Sequence, residues 1–284
     1  MNETLTALTL DVDDARLYYE VRGTGPLVVL VGAPMDAKSF APLAELLATE
    51  YAVLTTDPRG INRSPLDNPD QNSTPEQRAA DLAGLIAHVG AGPAIVFGSS
   101  GGAVSALALA QHHPEVVSTV IAHEPPLLNL LDDRAEQHAL SADMRATYLS
   151  GDVIGGWQKF FAQANIFVPE GVLEGMFGGD RDPQSVADER FWFAHELGES
   201  VGWQPDVAAL RDGPVHIVVG IGEDSTGQLC ERTSTALAAG LGVDPTRFPG
   251  DHTGFAEDAD TFAPVLRAVL ADRPDVRHSQ SSIA

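Results

Sequence analysis

A mainly parallel β-sheet covered by helices on both faces is the α/β fold class that this 284-residue sequence predicts. Short apolar runs such as Leu27 to Val31 and Ala94 to Phe97 read as strands buried on both faces. Between them lie segments with apolar residues at helical spacing, such as Leu82, Leu85, Ile86 and Val89. The alternation of the two recurs along most of the chain, which is the pattern of a parallel sheet with crossover helices.

Arg16 to Val21 alternates polar and apolar residues, as a half-buried strand does, and precedes the Leu27 to Val31 strand. Ser39 to Thr49 reads as a helix with Leu43, Leu46 and Leu47 on one side, and Ala52 to Thr56 as the next strand. Thr74, Pro75 and Gln77 form a helix start: a capping hydroxyl, a proline in the first turn and a glutamine three residues after the cap. After the Ala94 to Phe97 strand come a turn of small residues, a helix from about Ala103 to His112, and a strand over Val116 to Ala122. A strand near Pro214 to Val219, a helix around Leu229 to Ala239, a short strand at Arg247 and Phe248, and a last helix from about Ala259 to Leu270 complete the series.

One stretch breaks this rhythm. Residues 125–209 hold Trp157, Phe160, Phe161, Phe167, Phe177, Phe191, Trp192, Phe193 and Trp203, with glycines between. They read as a mostly helical insertion over the sheet. Some of these aromatics pack its own core; at least one of Trp157, Trp192 and Trp203 is expected to approach a pocket. The expected organisation is therefore a core of residues 1–124 and 210–271, an insertion of residues 125–209, and a frayed tail over 272–284, which mixes Pro, Ser, Gln and charge.

Asp and Glu outnumber Lys and Arg by 40 to 17, a net charge of −23. That field repels a phosphate backbone and argues against nucleic-acid binding. The lone cysteine, Cys230, excludes an intramolecular disulfide and a thiolate metal cluster. Met1 to Leu10 lacks the basic residue and apolar run of a secretory signal, and no uncharged apolar stretch reaches membrane-spanning length. The cytoplasm is the expected compartment. No metal or organic cofactor is expected.

Gly98-Ser99-Ser100-Gly101-Gly102 matches G-x-S-x-G. The bare pattern is weak, but here it directly follows one apolar strand and directly precedes a helix. A sharp strand-to-helix turn strains its central residue, flanking glycines relieve the crowding, and the hydroxyl projects above the sheet. No lysine lies in the turn to support a phosphate loop.

With two further motifs the chain resembles the α/β-hydrolase superfamily over about residues 5 to 271. Asp57-Pro58-Arg59-Gly60-Ile61-Asn62-Arg63-Ser64 is similar to the family's D-x-R-G-x-G-x-S turn, with Asn62 in place of the second glycine. Pro249-Gly250-Asp251-His252-Thr253-Gly254-Phe255 is similar to the family's late histidine loop. The resemblance implies a nucleophile, Ser100, and a base, His252, in the chain order serine, acid, histidine. Among the other histidines, His112 and His113 end a helix and read as structural. His88 lies on a helix, His216 within a strand, and His123 points away from its strand's candidate acid. His195 belongs to the insertion and could touch substrate. The oxyanion hole is expected from the backbone N–H groups of Gly101 and Ala33; Pro34 has none to offer, and Val31 stands where the family often has histidine.

Two carboxylates compete for the acid. The family's usual place, the loop after the penultimate strand, offers Asp224 in an ambiguous register. Glu124 ends the strand one position over from the elbow, 24 residues after Ser100, and is followed by Pro125 and Pro126. Haloalkane dehalogenases and resorcylic-lactone hydrolases include members with the acid at that strand end. Glu124 is the preferred candidate and Asp224 the alternative. The implied activity is hydrolysis of an ester or lactone of a small, apolar molecule. Thioester, C–C bond or cofactor-free perhydrolase chemistry on the same residues, and a non-catalytic ligand-binding protein of this fold, are the alternatives. A serine in the elbow argues against dehalogenase and epoxide-hydrolase chemistry, which need a carboxylate there.

Overall fold

The computed structural model describes residues 5–272. Eight strands form one sheet: β1 (Thr6–Val12), β2 (Ala15–Arg22), β3 (Leu27–Val31), β4 (Ala52–Thr56), β5 (Ala94–Ser99), β6 (Val117–His123), β7 (His216–Gly222) and β8 (Thr246–Phe248). Their spatial order is β1-β2-β4-β3-β5-β6-β7-β8. From β4 to β8 every pairing is parallel, whereas β1 and β2 form an antiparallel hairpin that joins β4 antiparallel. The hairpin partner β1 escapes the sequence reading because its residues are mostly exposed and lack a buried face.

Before the insertion the helices are α1 (Ala41–Leu47), α2 (Pro75–Val89) and α3 (Gly101–His112). Between β6 and β7 come α4 (Arg134–Leu149), α5 (Val153–Ala164), α6 (Val172–Phe177), α7 (Pro183–Phe191), a π-helical turn (Trp192–Glu196), α8 (Leu197–Gly202) and α9 (Val207–Asp212). After β7 come α10 (Leu229–Leu241), α11 (Gly254–Glu257) and α12 (Ala259–Ala271). The expected start of α2 is built as read: Thr74 Oγ1 accepts from Gln77 N–H, and the Gln77 side chain answers Thr74 N–H.

Two apolar layers sandwich the sheet. On one face α2, α3 and α10 bury Leu82, Leu85, Leu107, Leu109 and Leu237 against Val29, Val96 and Val120. On the other, α1 and α12 bury Leu43, Leu47, Phe262 and Leu266 against Leu30, Phe97 and Ile121. A third cluster lies mainly in the chain between β6 and β7, where it joins Met144, Tyr148, Trp192, Phe193 and Leu197, and takes in Leu229 of α10.

Two details depart from the sequence reading. The expected end of the insertion at residue 209 falls inside α9, whose Leu210 packs in the sheet's own core. Trp203 also packs in that core and donates from its indole N–H to Glu76 at 2.8 Å. Among the described residues no helix is long and apolar enough to cross a membrane. The expected tail lies, but for Asp272, outside the described residues.

Candidate active site

Every residue marked for the site lies at the carboxyl ends of parallel strands, the rim where open α/β sheets hold their ligands. Ala33 follows β3, Ser100 follows β5, Glu124 follows β6 and His252 follows β8.

Ser100 stands between β5 and α3 with φ 56° and ψ −126°. Only small neighbours permit this turn. A Cβ on Gly98 would come within 2.4 Å of Gly102 O, and one on Gly102 within 2.2 Å of Val31 O. The backbone of α3 therefore starts hard against the end of β3, and a Cβ on Gly101 would lie 2.5 Å from Ala33 O. The loop that carries Ala33 is held from the far side by the Asp57–Ser64 turn. Asp57 accepts from Ala37 N–H at 2.9 Å, and its carboxylate takes two bonds from the Arg63 guanidinium at 2.7 and 2.8 Å. Asn62 has φ 48°, a left-handed conformation that asparagine tolerates better than most residues. That is why it can stand where the family pattern has glycine.

Glu124 is wholly buried, and it too has a positive φ, 52°. Its backbone N–H donates to Gly220 O at 3.0 Å, which pins it to β7. One carboxylate oxygen accepts from Gly222 N–H at 2.8 Å; the other lies 2.6 Å from His252 Nδ1. An ionised carboxylate can only accept, so Nδ1 carries the proton and Nε2 is left as the basic nitrogen. Burial pushes the Glu124 carboxyl up, but the hydrogen bond and charge of His252 outweigh it and hold the group at about 2. Asp224 is exposed on the neighbouring loop, where its backbone N–H donates to Gly250 O. Between the two carboxylates, Glu124 is the one on the imidazole.

Ser100, Gly101, Ala33 and His252 line one cavity of about 70 Å³. Most of its remaining wall comes from the insertion and α10, among them Leu128, Met144, Phe160, Trp192, Leu197, Val201, Leu229 and Cys230, with Ser141, Gln163 and Ser200 as the polar members. Trp192 reaches the cavity, as one tryptophan was expected to, while Trp157 stacks on Phe177 within the insertion's aromatic cluster. His195 does not reach it; the ring packs against Phe191 and bonds Asn72 at 3.2 Å. Burial pushes the Cys230 thiol up, so it stays protonated and packs as an apolar group. No sequence signal marked Met144, Leu229 or Cys230 for this wall, because their apolar character suits any core.

His123, next to the acid, is fully buried in a cage of Phe97, Phe248, Phe255 and Phe262. Its Nδ1 meets Ser99 Oγ at 3.2 Å. Burial lowers its pKa from 6.5 to about 4. On acidification the unfolded chain takes up this proton first, so folding is weakened by about 2 kcal/mol between pH 6.5 and 5. Glu196 acts in the opposite sense: burial raises its carboxyl from 4.5 to about 7, so the folded chain protonates first and gains as pH falls from 7. The wild-type acid profile is thus a partial cancellation. His123→Leu should gain about 2 kcal/mol relative to wild type between pH 6.5 and 5 in urea unfolding. A difference that is the same at both pH values would rule out a neutral buried imidazole.

The model of the alpha/beta hydrolase family matches residues 27–265. An uncharacterized hydrolase of Bacillus subtilis, YraK, is 31% identical over 282 residues, spanning 94% of this chain and 97% of that protein. The zearalenone hydrolase of Cladophialophora bantiana is 32% identical over 154 residues, 51% of this chain and 57% of its own. Among solved structures, an alpha/beta hydrolase from Sphaerobacter thermophilus superposes with a TM-score of 0.65 at 24% identity, covering 93% of this chain and 100% of that one. With an eight-stranded sheet of this order and a family match over most of its length, the chain is a hydrolase of the alpha/beta hydrolase family.

Proposed function

We propose that the protein hydrolyses an ester or lactone of a small, uncharged molecule through Ser100, His252 and Glu124. The observation that carries this reading is the 2.6 Å contact between Glu124 and His252 Nδ1, beside a cavity that both His252 and Ser100 line. Ser100 Oγ attacks the carbonyl carbon as His252 Nε2 takes its proton. The Gly101 and Ala33 N–H groups bind the oxyanion, and the start of α3 adds its positive end. Glu124 holds the ring and stabilises its charged form. His252 then returns the proton to the leaving alcohol, and a water, activated by the same imidazole, releases the acid.

The cavity supports the substrate class. Its wall is mostly apolar and carries no lysine or arginine, so a carboxylate on the substrate would find no counter-charge there. At about 70 Å³ it is smaller than the roughly 150 Å³ cavity that admits a benzene ring, which favours a short acyl group. The relative named as a zearalenone hydrolase agrees with a lactone reading at the level of chemistry. The inserted helices act as a cap that shields the acyl-enzyme from bulk water. A small fluorophosphonate should label Ser100 in the wild type. A panel of neutral esters, lactones and thioesters should show turnover that falls with acyl length. Absence of labelling and of turnover across the panel would leave the ligand-binding alternative instead.

A further inference from the structure

Arg78 is a fully buried cation that the proposed chemistry does not use. It sits in the first turn of α2, and each nitrogen of its guanidinium holds a different part of the molecule. Nε donates to Ser105 Oγ at 2.8 Å, and that hydroxyl donates to Gly101 O at 3.0 Å, within the first turn of α3. Nη2 donates to Ser200 Oγ at 2.8 Å, on the cavity-lining face of α8. Nη1 bonds both the carbonyl and the hydroxyl of Ser73, whose own N–H donates to His195 O in the π-helical turn. One planar group thus joins the turn that carries the Gly101 N–H to two points of the insertion. Lysine, with a single compact ammonium, cannot reproduce such a fork.

Beside it lies Glu196, also fully buried, with neither carboxylate oxygen hydrogen-bonded to any of the described residues. Its helical register, four residues after Trp192 and four before Ser200, puts it on the same side of the chain as these two wall residues. Arg78 is its dominant charged neighbour. A buried arginine whose hydrogen bonds all go to neutral groups, with an unpaired carboxylate nearby, is costly as a mere stability device. An apolar pair of similar size would hold the fold as well.

We infer that Arg78 is a positioning residue: it ties the oxyanion-hole turn to the cavity-lining α8, so that the Gly101 N–H is aligned only while the inserted helices are seated. The inference rests on Ser100 chemistry as proposed above. It predicts a defect in kcat and in the reactivity of Ser100, with stability retained. The decisive variant is Arg78→Met with Glu196→Gln, which removes both buried ionisable groups together and avoids stranding one. It should fold, and its kcat on the best ester of the panel should fall about 10- to 100-fold, with KM changed by less than about threefold, the size expected when reacting groups are slightly misplaced. The rate of fluorophosphonate labelling at Ser100 should fall in parallel. Ser105→Ala, which cuts only the arm to Gly101, should share the kcat defect, and Arg78→Lys should recover a part of it. If the double variant fails to fold, Ser105→Ala and Ser200→Ala carry the test, since each cuts one arm of the fork and leaves the charges in place. Wild-type kcat and labelling rate in a folded double variant, or in both single variants, would overturn the inference while leaving the function intact. A wild type that does not label at all would instead overturn the function on which it rests.

Discussion

Ser100→Ala is expected to abolish turnover and fluorophosphonate labelling while the protein stays folded. Loss of a triad nucleophile leaves only what binding and the oxyanion hole supply, so the drop in kcat should be about 10⁶-fold. The substitution removes one oxygen from a cavity wall and creates no void in either core layer. Far-UV circular dichroism and the melting temperature should therefore stay close to those of the wild type. A substituted protein that still hydrolyses the panel at wild-type rates would take Ser100 out of the chemistry.

The second large effect concerns the acid. Glu124→Gln should lower kcat by about 10²- to 10⁴-fold, because an amide of the same shape neither fixes the productive tautomer nor stabilises the imidazolium. Asp224→Asn should stay within about twofold, since its side chain is exposed and the imidazole Nδ1 is already held by Glu124. The pair of measurements separates the two strand ends. If Asp224→Asn proved the damaging change, the acid would have to move to the β7 loop during turnover, and the observed bond from Gly222 N–H to Glu124 would have to break. Because Glu124 is held at about 2 against an ordinary 4.5, the ionised form adds stability that is full above pH 4.5 and lost as pH falls through 2. The Gln variant should therefore be less stable than wild type at neutral pH and converge with it in strong acid.

Much of this was legible in the sequence where one physical constraint dominates a segment. A strand buried on both faces admits only apolar residues, so β3 and β5 announce themselves; the elbow admits only small residues around Ser100, so the motif and its context agree. What the sequence leaves open is governed by contacts between distant segments. The register of the β7 loop left Asp224 as a candidate, and the choice turns on a bond between Glu124 and Gly222, 98 positions apart. Trp203 reads like its aromatic neighbours in the insertion, yet its ring packs in the sheet's core while its indole N–H reaches Glu76. Arg78 did leave a trace. It lies four positions before Leu82 and seven before Leu85, on the buried face of α2, and a cation there asks for partners that only the folded chain reveals.

The left-handed backbone at Ser100 has a consequence for how such a protein would change under selection. A non-glycine residue in that conformation costs about 1 to 3 kcal/mol, and Ser100→Gly would release part of it. A population screened for heat resistance alone would therefore accumulate replacements at its own nucleophile. Thermal endurance and turnover pull this one position in opposite directions. Any programme of stabilising this scaffold has to score hydrolysis in every round, or it will enrich for well-folded, inert descendants.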